Sequence, residues 1–385
     1  SELKGINIDL PLFSKPDNQA HPFTLKLGVD ESGITSFNAN YENLLSPNNR
    51  VAINLKKIAP HWQGLVQSPI ASGSVFIPIE FTKQAKMSLL LNKLDLSALQ
   101  QINVKESNTP FSIQDLPALN LQSQSLYWQG TNLGKLELIT QSALDGLLIK
   151  KLDINSAKNQ LSLTGNWQQQ DSSNKTEIKG TLLSENFGHL LRQNNLSENI
   201  ANTTADIQFS LNWAAPPYSF SSTNLSGDLD LHMTNGRILG VNPGLGRVLG
   251  ALDIWKLGKR LRLDFSDVTE DGLSFSEIDA DITLNKGLLS SKNFYINAMP
   301  AKIDLSGTTH LDTKQINLSA TVLPKFPIAG TIIGDVANSV TKSFTGDEHA
   351  GGLLLSLLYK ITGTWENFSI DREFDRATPE RLKTP

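Results

Sequence analysis

The groups in this sequence that could do chemistry are six histidines, several carboxylate pairs and one glycine-rich stretch. His21, His61, His189, His232, His310 and His349 are scattered, with neither an HExxH nor an HxH spacing, so no metal-binding pattern is legible and loop or surface histidines account for them. Asp279 with Asp281, and Asp228 with Asp230, have the look of a glycoside hydrolase acid and base, with Trp167, Trp213 or Trp365 as sugar platforms. Each acidic pair, however, falls on the polar side of its own alternation, which reads as a solvated face. The tryptophans read as strand-end packing. GLGRVLG at 244–250 imitates a dinucleotide fingerprint, since it follows a short strand at 237–239, opens a helix and has Asp264 downstream. Its spacing is GxGxxxG, one residue too long, and the strands after it alternate where a doubly covered sheet would be apolar throughout. Its glycines suit a tight helix entry. No GxSxG elbow or P-loop lysine is present. The absence of cysteine excludes a disulfide scaffold, a thiolate zinc site and a thiol nucleophile. The reading is no enzyme, no cofactor and no metal.

What remains is a pattern that must serve something other than catalysis. The chain has 385 residues, a net charge of −4, 39% hydrophobic and only 19% charged residues, so much of its polarity comes from Asn, Ser, Thr and Gln. Apolar residues are plentiful and regular, as in a folded protein. A pI near 5.9 argues against a nucleic-acid partner. No run approaches the ~18 apolar residues of a membrane-spanning helix; the longest, GGLLLSLLYKI at 351–361, holds Ser356 and Lys360. The chain starts at Ser1 with an extended segment already under way, and reads as a piece of a longer protein whose targeting segment lies elsewhere.

Period-two alternation dominates. Phe23, Leu25 and Leu27 alternate with Thr24 and Lys26; Ile207, Phe209 and Leu211 with Gln208 and Ser210; Leu229 and Leu231 with Asp230 and His232. Ile282 shares a face with Ile278 and Ala280, Ile303 pairs with Leu305 around Asp304, and Ile316 with Leu318 around Asn317. Each run is a strand with one apolar and one wet face, which is antiparallel material. Asp145-Gly146, Asn235-Gly236, Asp271-Gly272 and Asn285 to Gly287 read as turns between runs. LSLTGNW, IQFSLNW and KITGTW give a loose repeat of strands ending in tryptophan, and roughly eighteen to twenty strands are expected in all.

Helical signals are few. SENFGHLLRQ at 184–193 has Ser184 as a cap. Helices are also expected at about 243–259 and, in two pieces, at about 327–360, with a polar tail after about 374. Lys256, Lys259, Arg260 and Arg262 close the first of these; they complete the helix dipole, or contact anionic headgroups. Many half-wet strands and few helices leave three arrangements: a sandwich, a barrel, or a sheet that curls and buries its apolar face against something else.

From Leu225 onward the run LSGDLDLHMTNGRILGVNPGLGRVLGALDIWKLGKRLRLDFSDVTEDGLSFSEIDADITLNKG resembles the C-terminal part of the YhdP branch of the AsmA-like envelope proteins. The most specific pieces are NGRIL at 235–239, PGLGRVLGALDIWKL at 243–257, LDFSDV at 263–268 and YKITGTWENFSI at 359–370. The resemblance continues more loosely upstream through IQFSLNW, SENFGHLL and LSLTGNW. LDIWKLGKRL departs from the plainer Leu/Ser/Pro stretch of the family. The resemblance implies a mainly β chain, a long curled antiparallel sheet forming a groove, with a few short capping helices near the C-terminus. It also implies a periplasmic protein of a diderm bacterium, anchored in the inner membrane outside this fragment, that conducts phospholipids between the inner and outer membranes. The partners so implied are phospholipid acyl chains, the two membranes and other envelope proteins.

The domains expected are a repeating β-groove over 1–224 and a C-terminal region over 225–385 that continues it. The expected lipid-contacting lining is Phe23, Leu25, Leu27, Ile207, Phe209, Leu211, Leu229, Leu231, Ile282, Ile303, Leu305, Ile316 and Leu318. Hiding the ~30 methylenes of a diacyl lipid at ~0.8 kcal/mol each is worth on the order of 25 kcal/mol, so a lipid crosses water only along a continuous apolar path. The competing arrangement is a self-buried sandwich or solenoid that scaffolds partners and holds no lipid.

Overall fold

Alternation gives a strand one face to bury and one to wet, and wherever this sequence alternates clearly the chain is extended. A computed structural model of the chain describes residues 1–6, 8–10, 13–15, 17–31, 33–43, 50–82, 84–97, 116–170, 173–194, 196–239, 272–299, 301–325, 357–365 and 367–373. They form a mainly β structure that divides into two compact units, one of Ser1–Thr181 with Ala214–Ser219, the other of Leu182–Trp213 with Phe220–Pro385.

In the first unit β1 (Ile8–Leu10) and β2 (Phe13–Lys15) form a small hairpin. A large sheet then runs in chain order through β3 (Phe23–Asp30), β4 (Gly33–Tyr41), β5 (Val51–Ile58), β6 (His61–Gln67), β7 (Ala71–Pro78), β8 (Lys86–Asp95), β9 (Ala118–Trp128), β10 (Thr131–Ser142), β11 (Gly146–Asn155) and β12 (Asn159–Gln170). The unit also holds most of β13 (Ser173–Ser184). Neighbours are antiparallel except β8 and β9, which are parallel, a departure from the antiparallel expectation. Parallel neighbours need a crossover of a dozen residues or more, and the 96–117 connection supplies that length.

The second unit begins with α1 (Phe187–Gln193) and β14 (Ile200–Ala201). Its sheet runs antiparallel and in chain order through β15 (Thr204–Trp213), β16 (Ser226–Ile238), β17 (Leu273–Asn285), β18 (Leu288–Ala298), β19 (Ala301–His310), β20 (Gln315–Pro324), β21 (Leu357–Thr364) and β22 (Phe368–Glu373). Lys286 and Gly287 join β17 to β18 with φ of +48° and +82°, the two left-handed residues that a type I′ hairpin requires.

Bulges, as between Asp281 and Ile282, and glycines at special positions keep these sheets curled. Gly227 and Gly307 have φ of +135° and +132°. A Cβ there would come within 2.0 Å of the Ser210 carbonyl oxygen and 2.2 Å of that of Asn317, so only glycine lets these backbones approach.

Four local readings are corrected. The cap of α1 is Asn186, whose Oδ1 accepts from the His189 N–H at 3.1 Å; Ser184 is the last residue of β13. Asn235-Gly236 does not turn, because both residues lie within β16, Gly236 opposite Phe275 and Asn235, at φ +51°, passed over between the paired Thr234 and Gly236. Trp167 lies inside β12 and not at its end. Leu357 and Leu358 belong to β21, not to a helix reaching 360: Leu357 and Tyr359 are buried while Leu358 faces the other way, a period of two. The expected helix at 243–259, the rest of that at 327–360 and the tail after 374 lie outside the described residues. Among the described residues no helix is long and apolar enough to cross a membrane.

Candidate functional site

Because the strands of the second unit pair in register, their alternating residues line up into four rows on the apolar face. Row one reads Ala205, Met233, Ile278, Ile296, Ile303, Val322 and Leu357 across β15 to β21. Row two reads Ile207, Leu231, Ala280, Phe294, Leu305, Ala320 and Tyr359. Row three reads Phe209, Leu229, Ile282, Ser291, Gly307, Leu318 and Ile361, and row four Leu211, Gly227, Leu284, Leu289, Thr309, Ile316 and Gly363. On β22, Arg372 extends row two, Ile370 row three and Phe368 row four. Rows three and four carry no ionisable side chain.

The rows differ in depth. Row one, nearest α1, is packed shut: Ile278 is 2% exposed, and Ala205, Met233 and Ile296 cluster with it beneath Phe187 and Leu182. Ala320, Val322, Leu357 and Tyr359 form a second closed cluster. Rows three and four, beside the hairpin turns, are mostly half-buried.

The first unit repeats the device over ten strands. Leu27, Phe37 and Leu55 oppose one another, followed after Gly64 by Val75 and Leu89. Leu89 meets Leu121 across the parallel pair, and the row continues through Leu138 and Leu152 to Leu163. A closed cluster of Leu91, Leu121, Leu126 and Leu136 packs its centre, while β3 is open, with Leu25 47% and Leu27 46% exposed.

The expected lining therefore falls as follows. Phe23, Leu25 and Leu27 stand opposite Tyr41, Ala39 and Phe37 on the apolar face of the first unit. The other ten share the apolar face of the second, Ile303 in row one, Ile207, Leu231 and Leu305 in row two, Phe209, Leu229, Ile282 and Leu318 in row three, Leu211 and Ile316 in row four. Lys256, Lys259, Arg260 and Arg262 lie outside the described residues. Sequence reasoning passed over Leu89, Leu121, Leu138 and Leu152. The alternation LNLQSQ around Leu121 could have found that strand, whereas the unbroken Leu89-Leu90-Leu91 hides which residues turn inward.

Charged residues gather on the polar faces. In the first unit Lys151 Nζ donates to Glu137 Oε2 at 2.6 Å across β10 and β11. In the second, Asp206, His232, Asp279, Tyr295 and Asp304 face one another in turn across β15 to β19. Three of the four carboxylates suspected of hydrolase chemistry are engaged there: Asp228 accepts from Thr283 Oγ1 at 3.1 Å, Asp281 from Asn293 Nδ2 at 3.0 Å, and Asp279 meets His232. Trp167 is buried, its Nε1 donating to Asn174 Oδ1 at 2.9 Å, so it is no sugar platform. Burial raises the Tyr295 hydroxyl pKa, with Glu277, Asp304 and Asp279 adding to the shift, and burial raises that of the Asp304 carboxyl.

The register also gathers His232, Glu277 and Asp279 closely enough that their ligand atoms lie within 4.8 Å of one another, a set that could take a metal ion and that no sequence spacing announces. His232 Nδ1 already meets Asp279 Oδ1 at 2.5 Å, a cross-strand ion pair. That hydrogen bond raises the imidazole pKa, as do the charges of Asp279, Glu277 and Asp206. Since the folded chain holds this proton more tightly, the stabilisation is complete below the ordinary imidazole range and disappears as pH rises past the raised value. His232→Gln should cost more stability at pH 5 than at pH 9, with a difference of less than about 1 kcal/mol because both side chains are roughly half exposed, read from melting curves at the two pH values. An equal loss at both pH values would contradict this assignment.

Comparison with known proteins gives the family. The protein family described as "YhdP protein" matches residues 46–370. Over 257 residues the chain is 21% identical to the "Intermembrane phospholipid transporter YhdP" of Escherichia coli (strain K12). That match covers 66% of this chain and 20% of the relative, so the chain spans only a fraction of that protein's length. No solved structure matches the chain.

Proposed function

The chain belongs to the YhdP family, and we propose that its apolar faces carry the acyl chains of phospholipids moving between membranes. The observation that carries this reading is the ladder of apolar residues opposing one another across consecutive strands in each unit, with no ionisable group in rows three and four of the second. Ten strands at ~4.8 Å spacing give roughly 43 Å of such track in the first unit alone, more than a pocket for one small ligand needs. A floor of Leu, Ile, Val and Phe has nothing to anchor a chain, so a lipid slides along it with its headgroup outside. The relative's name supports phospholipid as the cargo. In the intact protein this segment belongs to a bridge across the periplasm of a diderm bacterium, anchored in the inner membrane and serving outer-membrane lipid homeostasis, and no catalytic step is involved.

The closed clusters around Ile278 and Val322 favour a second reading for part of the sheet, a self-buried scaffold. Delipidated protein mixed with vesicles of fluorescent phosphatidylethanolamine separates the two. Uptake of lipid into the protein fraction is expected; a protein that takes up none is the scaffold.

A further inference from the structure

The apolar face of the second unit is not uniform, and this limits where a lipid can lie on it. Rows one and two are spent on the protein itself. Ile207, Met233, Ile278 and Ile296 are buried in one cluster, and Leu231, Phe294, Ile303 and Leu305 pack against it. A chain laid there would have to displace side chains already in close contact. Phe209, Leu211, Ile282, Leu289, Ile316 and Leu318 differ: all are half-buried, and none packs against the buried clusters found among the described residues. They form a strip within rows three and four, narrowed where Leu229 packs against the first cluster, where Ile361 packs against the second and where Leu284 is buried, with Ser291, Gly307 and Gly227 as low points between the larger side chains.

The border of this strip has its own chemistry. Row four runs directly into the hairpin turns, and Leu284 and Leu289 flank the turn that carries Lys286, while Thr309 and Ile316 flank the one that carries Lys314. Both lysines are exposed and both sit at a fixed left-handed backbone position, with φ of +48° and +57°. Asp312, the acidic group in the same turn as Lys314, lies 3.6 Å from His310. An apolar floor with ammonium groups along one edge is the complement of an acyl chain that ends in a phosphate.

Resting on the proposed function above, we propose that phospholipid crosses the second unit on this strip alone, with acyl chains over Phe209, Leu211, Ile282, Leu289, Ile316 and Leu318 and the phosphate at the turn edge beside Lys286 and Lys314. Rows one and two are a sealed keel that holds the sheet together and touches no lipid. A stretch of lining chosen from alternation alone is thereby divided: Ile207, Leu231, Ile303 and Leu305 belong to the keel.

Two phenylalanines one row apart make the test. A photoreactive benzoylphenylalanine replaces Phe209 or Phe294 in the full chain, which is then loaded from dioleoyl-phosphatidylglycerol vesicles and irradiated. Crosslinking requires van der Waals contact, so Phe209 should yield at least about five times the lipid adduct of Phe294. Leu231, partly buried in row two, is the second keel position should the Phe294 variant not fold. Equal yields, or bound lipid with no adduct at Phe209, overturn the strip while leaving lipid carriage intact. No bound lipid in any variant or in the parent overturns carriage itself. The double change Lys286→Glu and Lys314→Glu should reduce retained phosphatidylglycerol roughly tenfold at low salt; unchanged retention removes the lysines from the assignment.

Discussion

Leu211→Asp should leave the protein folded and stop it from carrying phospholipid. Leu211 lies in row four, half-buried and opposite Gly227, which has no side chain to pair with a carboxylate. In the free protein the new carboxylate can stay hydrated, so the sheet tolerates it. A chain sliding past must strip that hydration, and an unpaired carboxylate facing hydrocarbon costs at least about 3 kcal/mol, or roughly a hundredfold in transfer rate. Leu211→Ala removes only a few methylenes from the floor and should transfer at near the parental rate. The pair of variants is compared by circular dichroism and by transfer of fluorescent phospholipid between vesicles. Parental transfer by Leu211→Asp would mean that lipid does not pass over row four.

Ile278→Ala should produce the largest loss of stability. Ile278 is 2% exposed, stands opposite Met233 and Ile296 and lies at the centre of the closed cluster near α1. Removing its methyl and methylene groups leaves a cavity that tightly packed neighbours cannot fill, at a cost of about 2–5 kcal/mol, or roughly 5–15 °C in melting temperature for a unit of this size. Val29→Ala, at a site 67% exposed, should change stability by less than about 0.5 kcal/mol. Calorimetry on the three proteins decides the matter. A melting temperature for Ile278→Ala within a degree of the parent would mean that row one is not a packed core.

These two expectations treat residues that the sequence makes look alike. Ile207 and Leu211 lie two turns of the same alternation apart, on one strand and one face, and nothing in IQFSLNW says that the first is buried in a protein cluster and the second is half open. Alternation reports which face a residue takes, because that depends only on the strand's own pleat. Depth depends on what else reaches that face, here Phe187 of α1 and Leu182 from β13, and that is information held elsewhere in the chain. The same limit explains His232 with Asp279: they are 47 residues apart, and only the pairing register of β16 and β17 makes them neighbours. The parallel pairing of β8 with β9 was illegible for a related reason, since strand content does not record direction. Local rules failed where tertiary pairing outweighed them, as at Asn235-Gly236, whose turn chemistry is absorbed into a strand by β17, and at Leu357-Leu358, whose leucine-rich run pairs with Val322 and Thr321 in β20. The acidic pairs were legible throughout, because a carboxylate in an alternating strand takes the wet face wherever the dry one is covered.

The measurement closest to the central claim is native mass spectrometry of the purified chain, with organic extraction of whatever travels with it. If the apolar faces carry phospholipid, the spectrum shows protein with one or more phospholipid masses attached, and Leu211→Asp loses them while keeping its charge-state distribution. A spectrum of bare protein, with no extractable phospholipid, would contradict lipid carriage and leave a self-buried β scaffold as the account of this chain.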